Sequence, residues 1–277
     1  MDTYIFGDIE GNVEIFKNTI NCISRNLVNG KFIFLGDIYT SENLRVSIDM
    51  VKKLTSYFFQ HEDIITNDSE PLDIIRVFRK IWKDKGLKSY NTTYKQYWRS
   101  VPKKGKELEN NFKYKFIFGN KEIEFLSDIL NSKNISKIKQ KDKNDDDTYF
   151  HIPIKYLNTK TKNEEEVTRL YSCSQLNIMY NYLSNCHNYF IEHKTLYTHC
   201  YFNCNKIKNI ENVVAGHNKG YGKFRDSRYE KMTIYIVDLT SKWENLNNYI
   251  RYKNNEFQLF NEEILPEGLT TIESWSS

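Results

Sequence analysis

The sequence predicts an α/β fold, and three observations carry that prediction. Two short apolar runs, Thr3–Phe6 and Phe32–Leu35, each end in a Gly-Asp pair, Gly7-Asp8 and Gly36-Asp37. Between them Val13, Phe16, Ile20, Ile23 and Leu27 recur at helical spacing. A third run, Tyr114–Phe118, ends in Gly119-Asn120 and leads into a helix starting near Glu122. Strand, helix and strand with polar residues at the strand ends describe a βαβ unit. Functional groups in such sheets gather at the carboxyl ends of the strands, where both Gly-Asp pairs fall.

The remaining elements follow in order. Ser41 to about Phe59 reads as a helix, with Leu44, Ile48, Val51 and Leu54 on one face. Asn134–Asp147 is polar, ends in Asn144-Asp145-Asp146-Asp147 and is expected to be an exposed loop. Ser172–His187 has a helical pattern. The last third is richer in strands, at Thr195–Thr198, Val213–Ala215, Met232–Val237 and Tyr249–Tyr252. No internal repeat is visible.

A chain of 277 residues that is 39% apolar and 15% aromatic can bury a substantial core, which excludes a disordered class. No run approaches the ~18 apolar residues of a membrane span. The first strand begins within three residues of Met1, leaving no room for a signal peptide, so a cytoplasmic protein with no membrane partner is expected. Five irregularly spaced cysteines read as reduced thiols; Cys200 and Cys204 are close enough to suggest a metal pair, but no second pair matches them. Charge is unevenly spread. Residues 76–106 hold eleven Lys or Arg against the single acid Asp84, a local +10 in a chain of net +4. Phe78, Trp82, Tyr90, Tyr94, Tyr97 and Trp98 are interleaved with them. Cations and rings together suit phosphate backbones and stacked bases, so nucleic acid is a possible partner of residues 76–106. The plainer alternatives are a protein-docking face, or an insert whose Phe78, Ile81 and Trp82 pack onto the body.

Five motifs fall at predicted strand ends: Gly7-Asp8-Ile9-Glu10-Gly11-Asn12, Gly36-Asp37-Ile38, Gly119-Asn120-Lys121-Glu122, Thr198-His199-Cys200 and Gly216-His217-Asn218-Lys219. Carboxylates, an amide and imidazoles suit Mn, Fe and Zn. One bridging carboxylate can hold two such ions ~3.5–4 Å apart.

In this order the motifs resemble the calcineurin-like metallophosphoesterase superfamily, close to its Ser/Thr protein phosphatase and diadenosine tetraphosphatase branch. That family's pattern is GDxHG, GDxxDR, GNHE, a lone His and GH. The resemblance spans about residues 3–240 apart from the basic stretch, and it reaches a late strand ending in Asp, Ile236-Val237-Asp238. It implies a central two-sheet β-sandwich flanked by helices, in a single domain over 1–277 with a mainly helical insertion at about 60–112. It also implies two divalent ions, Mn, Fe, Zn or Mg. Asp8 would bind the first, Asp37 would bridge, and Asn120, His199 and His217 would complete the second. His187 and His193 are the nearest competitors of His199.

The departures are equally specific. Glu10 stands where the family has a metal-binding His, and a carboxylate there would still ligate, with a preference moved toward Mn or Mg. A salt bridge from Glu10 to Lys121 is the competing reading. Thr40 and Ser41 replace Asp-Arg, Lys121 replaces the His of GNHE, Phe118 stands where protein phosphatases carry a second Arg, and Lys219 replaces the second His of the GHxH variant. The family's acid pair and arginine clamp are therefore missing, and Lys121 is the candidate catalytic residue, offering charge or, with a depressed pKa, a proton. The expected function is a metal-dependent phosphoesterase acting on a phosphomonoester or phosphoanhydride of a phosphoprotein or nucleotide. The alternative is an inactive member of the fold serving as a scaffold or binding protein, with nucleic acid, through the basic insertion, as a candidate ligand.

Overall fold

A computed structural model describes residues 1–87, 112–142, 145–157, 164–200, 209–217, 220–224, 232–238 and 249–259. Residues 88–106 of the basic segment, with Tyr90, Tyr94, Tyr97, Trp98 and Arg99, lie outside the described residues, as do Cys204 and Lys219.

Two sheets face each other. The first contains β1 (Asp2–Phe6), β2 (Gly30–Phe34), β3 (Tyr114–Ile117) and β7 (Cys186–His187) as parallel neighbours, extended past β1 by antiparallel β13 (Tyr249–Lys253) and β14 (Glu256–Leu259). The second has β9 (Thr195–Thr198), β10 (Asn212–Ala215) and β12 (Thr233–Asp238) in parallel, flanked by antiparallel β8 (Tyr189–Glu192) and β11 (Gly220–Phe224).

The two-residue period of a strand decides what each face buries. Ile5, Ile33, Leu35 and Ile117 from the first sheet meet Tyr197, Val214, Tyr235 and Val237 from the second. The alternate residues Tyr4, Phe6, Phe32, Phe34 and Phe116 turn to the opposite face, where Phe34 and Phe116 stack at 4.7 Å. Helices α1 (Val13–Asn26), α2 (Leu44–Thr55), α3 (Pro71–Asp84), α4 (Asn120–Asn131) and α5 (Cys173–Asn185) cover this aromatic layer. Both-face burial explains the short uninterrupted apolar runs of β1 and β2.

The two-sheet α/β arrangement flanked by helices is the expected one. One expectation fails. Asn134–Asp147 is not a loop: β4 (Ser136–Asp142) and β5 (Asp145–Leu157) form a hairpin, and β6 (Glu164–Ser172) completes a three-stranded antiparallel sheet. Phe150, Ile152 and Ile154 on β5 are buried in the aromatic core. β4 is an edge strand, where charged residues are common and continuous apolar character is not needed.

The first part of the 60–112 segment is helical. Pro71 opens α3, with Asp73 reaching back to the Glu70 amide at 2.9 Å. Ile74, Phe78, Ile81 and Trp82 of α3 are buried against α4 and α5. Phe78 and Trp82 are therefore core residues, with no free ring face for a base. No helix among the described residues is long and apolar enough to cross a membrane.

A candidate metal centre at the strand ends

Parallel strands in both sheets deliver their carboxyl ends to one edge of the sandwich. Asp8 follows β1, Asp37 follows β2, Asn120 follows β3, His199 follows β9 and His217 follows β10. One ligand atom each from Asp8, Asp37, His199 and His217 lies within 4.8 Å of the others. Asp8, Asp37 and His199 are buried, and the rings of His199 and His217 are 4.9 Å apart.

The backbone is bent to bring them together. Glu10, Asp37 and His217 have φ of 43°, 50° and 52°, the left-handed region that costs a non-glycine residue ~1–3 kcal/mol. The amides of Ile9 and Glu10 both donate to the Asp37 carbonyl, at 3.0 and 2.8 Å, tying the first two turns to each other. The glycines leave the space the ligands occupy: a Cβ at Gly119 would fall on the Asp37 carboxylate and amide, and one at Gly216 would fall on Asp8 Oδ1.

His199 tests whether a cation suits this cluster. Its Nδ1 lies 2.7 Å from the Leu35 carbonyl, which can only accept, so Nδ1 carries the proton. Nε2 then faces Asn120 Oδ1 at 3.1 Å and Asp37 Oδ2 at 3.4 Å. Asp37 Oδ2 is itself buried and accepts no hydrogen bond among the described residues. A neutral imidazole would set its lone pair against two oxygens; a second proton or a positive ion resolves the conflict. An imidazole anchored through its other nitrogen to a backbone carbonyl is the usual support of a metal-ligating His. The residues present fit a divalent cation.

The protonation balance points the same way. Burial, then the charges of Asp238 and Asp37, push the Asp8 carboxyl well up, although the His217 amide donates to both its oxygens at 3.2 Å. Burial also raises Asp37, but His199, the Lys121 amide and His217 together outweigh it and hold Asp37 below its ordinary value. His199 is correspondingly raised by Asp37, against its own burial. Without a metal the cluster relies on protons for neutrality. Its donors, carboxylate oxygens with imidazole nitrogens, match the preferences of Mn, Fe and Zn, and can coordinate one or two ions.

The other predicted residues lie around this cluster. Asn120 reaches it through Oδ1. Glu10 is half-buried on the turn after Asp8; burial first, then Asp37, raises its carboxyl. Lys121 does not close onto Glu10 as the competing salt bridge would require; its Nζ lies 3.5 Å from Glu124 Oε2 on its own helix. Burial lowers Lys121, but Glu124, Asp37 and Glu10 together raise it, so its charge is reinforced and the depressed pKa of a proton donor is not seen.

Thr40 is buried, and its Oγ1 accepts from the Glu42 amide, which uses it in the loop. Phe118 is buried in the core. His187, on β7, stands beside Lys115 at 3.4 Å and is pushed down to about 4 by burial and the lysines; His193 lies in the turn between β8 and β9. Neither joins the cluster. Cys200 is buried. Arg76 pairs with Asp73 of its own helix at 3.1 Å.

Two residues take part beyond the expected set. Asp238, noted only as a strand-ending Asp, is buried and is the largest charge acting on Asp8. Glu122 is fully buried and accepts hydrogen bonds from the Asp37 loop. A Glu three residues after a helix N-cap is a capping signal, and Glu122 also stands at the Glu of the GNHE-like motif, though neither cue gave it a role at the site.

No family model, curated protein or solved structure matches the chain. Fold and site therefore stand on their own geometry. Two facing mixed sheets flanked by helices, with Asp, Asp, His and His gathered at their carboxyl ends, form an arrangement consistent with a metallophosphoesterase-like fold.

Proposed function

We propose that the protein is a metal-dependent phosphoesterase of divergent, calcineurin-like type, hydrolysing a phosphomonoester or phosphoanhydride in a phosphoprotein or nucleotide. The observation that carries this reading is the convergence of Asp8, Asp37, His199 and His217 ligand atoms within 4.8 Å at the strand ends. In it, Asp8 and Glu10 would hold a first ion, Asp37 would be shared between two, and Asn120, His199 and His217 would hold a second. Ions held by these residues would supply Lewis-acid chemistry to the site. The protein's own part is orientation. The Leu35 carbonyl fixes the His199 tautomer, the Lys121 amide fixes Asp37 Oδ1 at 2.8 Å, and the His217 amide fixes Asp8. Lys121 Nζ supplies a standing positive charge for the phosphoryl oxygens.

The same reading treats residues 1–277 as a single intracellular domain carrying an insertion, with nucleic-acid contact through residues 76–106 as a secondary role. The substitution of Thr40, Ser41, Lys121 and Phe118 for the family's acid pair and clamps bears on substrate choice. A missing general acid typically costs ~10²–10⁴ in rate, and the loss falls hardest on an alkoxide leaving group. A phosphate leaving from an anhydride needs little protonation, so anhydrides are the favoured class.

Metal analysis of purified protein, joined to a phosphoester assay in Mn²⁺, tests the reading. Bound ions and turnover that disappear in Asp37→Asn are expected. A wild-type chain without metal would favour the inactive-scaffold alternative. A dinucleoside polyphosphate should turn over faster than a phosphoserine peptide; the reverse order would reject the anhydride preference.

A further inference from the structure

We infer that Glu122 is a positioning residue that locks the turns carrying Asp37 and Asn120 into one rigid unit and so sets the metal affinity of the centre. The inference rests on the metal reading above. Glu122 is fully buried, and both of its oxygens are saturated by donors. Oε2 accepts from the amides of Asp37 at 3.0 Å and Gly119 at 2.9 Å. Oε1 accepts from the amides of Ile38 at 3.2 Å and Tyr39 at 3.4 Å, and from the Tyr182 hydroxyl at 3.0 Å.

A helix cap explains only one of these bonds, the one from Gly119. Three come from consecutive amides of the loop after β2, far away in sequence. They hold Asp37 in its left-handed conformation at φ 50°. Its side chain is fixed separately, with Oδ1 on the Lys121 amide and Oδ2 left free of hydrogen bonds against His199. Gly119 immediately precedes Asn120. One carboxylate therefore ties the loop that carries Asp37 to the turn that carries Asn120.

All five partners are donors, so a carboxylate is the matching group. Glutamine would place an NH₂ against two or three N–H or O–H groups in either orientation. Aspartate keeps the charge but is one methylene short of spanning both loops. Tyr182→Phe removes only the contact from α5 and leaves the loop tie complete.

The experiment is a Mn²⁺ titration of the full chain followed by the free-ion paramagnetic resonance signal, with hydrogen exchange read at residues 37–39. Folding of each variant is checked by circular dichroism. Glu122→Gln is expected to weaken Mn²⁺ about 10- to 100-fold, the usual effect of removing a group that orients metal ligands. It is also expected to speed exchange at Asp37, Ile38 and Tyr39 while β10 and β12 stay protected. Glu122→Asp should show the same pattern to a smaller extent, and it decides the matter if the glutamine variant does not fold. Tyr182→Phe should bind as the wild type does. A folded Glu122→Gln or Glu122→Asp chain with wild-type Mn²⁺ affinity overturns the inference while leaving the metal centre standing. A wild-type chain that binds no Mn²⁺ overturns the metal reading itself.

Discussion

The two Gly-Asp turns look alike in sequence and are held in opposite ways. Asp8 and Asp37 both follow parallel strands and both are buried. Asp8 receives one amide, from His217 after β10, and has His199 Nδ1 at 3.6 Å, but it also meets the negative charges of Asp238, Asp37 and Glu10. Asp37 is bonded by the Lys121 amide at the start of α4, faces His199, and has its backbone gripped by Glu122. The first turn concentrates negative charge that the more distant Nδ1 of His199 only partly offsets; the second has His199 Nε2 and a helix N-terminus against it. The need for a metal ion is thus greatest at Asp8, while the rigidity that would make a metal site selective is greatest at Asp37.

Ion counting tests that contrast most severely. If Asp37 bridges, Asp37→Asn should lose both ions, whereas Asp8→Asn should keep one, held by Asn120, His199 and His217. Native mass spectrometry after equilibration with Mn²⁺ reads the difference directly. Equal loss in the two variants would remove the distinction between the turns.

Stability in chelator is the next contrast, and its sign differs between the turns. Asp8 has a raised carboxyl, so its stabilising contribution is complete below the ordinary unfolded value of about 4 and is lost as pH rises through the folded value. At neutral pH the metal-free wild type has lost part of it, and Asp8→Asn, which cannot ionise, should melt higher by about 2–4 °C for each kcal/mol recovered. The gain should fade on acidification. Asp37, held low by His199, contributes in the opposite direction: its stabilisation is present above the unfolded value and is lost as pH falls through the folded one. Asp37→Asn should therefore melt lower than wild type at neutral pH. Calorimetry in chelator across pH would check both signs.

A smaller effect is expected at Lys121, which belongs to the second turn through its amide but reaches outward with its side chain. Lys121→Gln keeps the amide bond to Asp37 and removes the charge. A fall in kcat/KM of roughly ten-fold on an anhydride substrate is expected, below the ~10²–10³ of a fixed oxyanion donor. The reason is that the ammonium is one-quarter exposed and already shared with Glu124. A loss of metal on Lys121→Gln would show that its charge, like its amide, serves the ligands.

Much of this was legible in the chain. The apolar runs of β1, β2 and β3 are buried on both faces, so hydrophobicity alone marked them, and the Gly-Asp and Gly-Asn pairs marked their functional ends. Asn134–Asp147 misled because its polar, charged composition reads as a loop, whereas an edge strand tolerates charged residues such as Lys137 and Lys139. Glu122 was legible as a cap and as the last residue of the Gly119-Asn120-Lys121-Glu122 motif, but its tie to the Asp37 loop was not, since three of its donors come from a loop 83–85 residues earlier and no local pattern encodes that pairing. Asp238 was visible as a strand end, but its influence on Asp8 depends on how the two sheets face each other.

Glu10 separates the two turns at the finest level. Its left-handed φ of 43° is a conformation glycine adopts without penalty, and Gly11 beside it has φ 71°. A residue chosen only for the turn would be glycine here. Glu10→Gly should therefore raise stability in chelator by about 1–2 kcal/mol, because the left-handed strain is relieved. The carboxylate's reason for being there must then appear elsewhere, as weaker binding of one Mn²⁺ with the other unchanged. Isothermal titration resolves the two ions. A variant that is more stable and binds both ions as before would leave Glu10 with no part in the centre, and the Asp8 turn would hold its ion with Asp8 and the bridging Asp37 alone among the proposed ligands. A variant that gains no stability would show instead that the bonds from Ile9 and Glu10 to the Asp37 carbonyl, at 3.0 and 2.8 Å, set the turn's shape whatever side chain it carries.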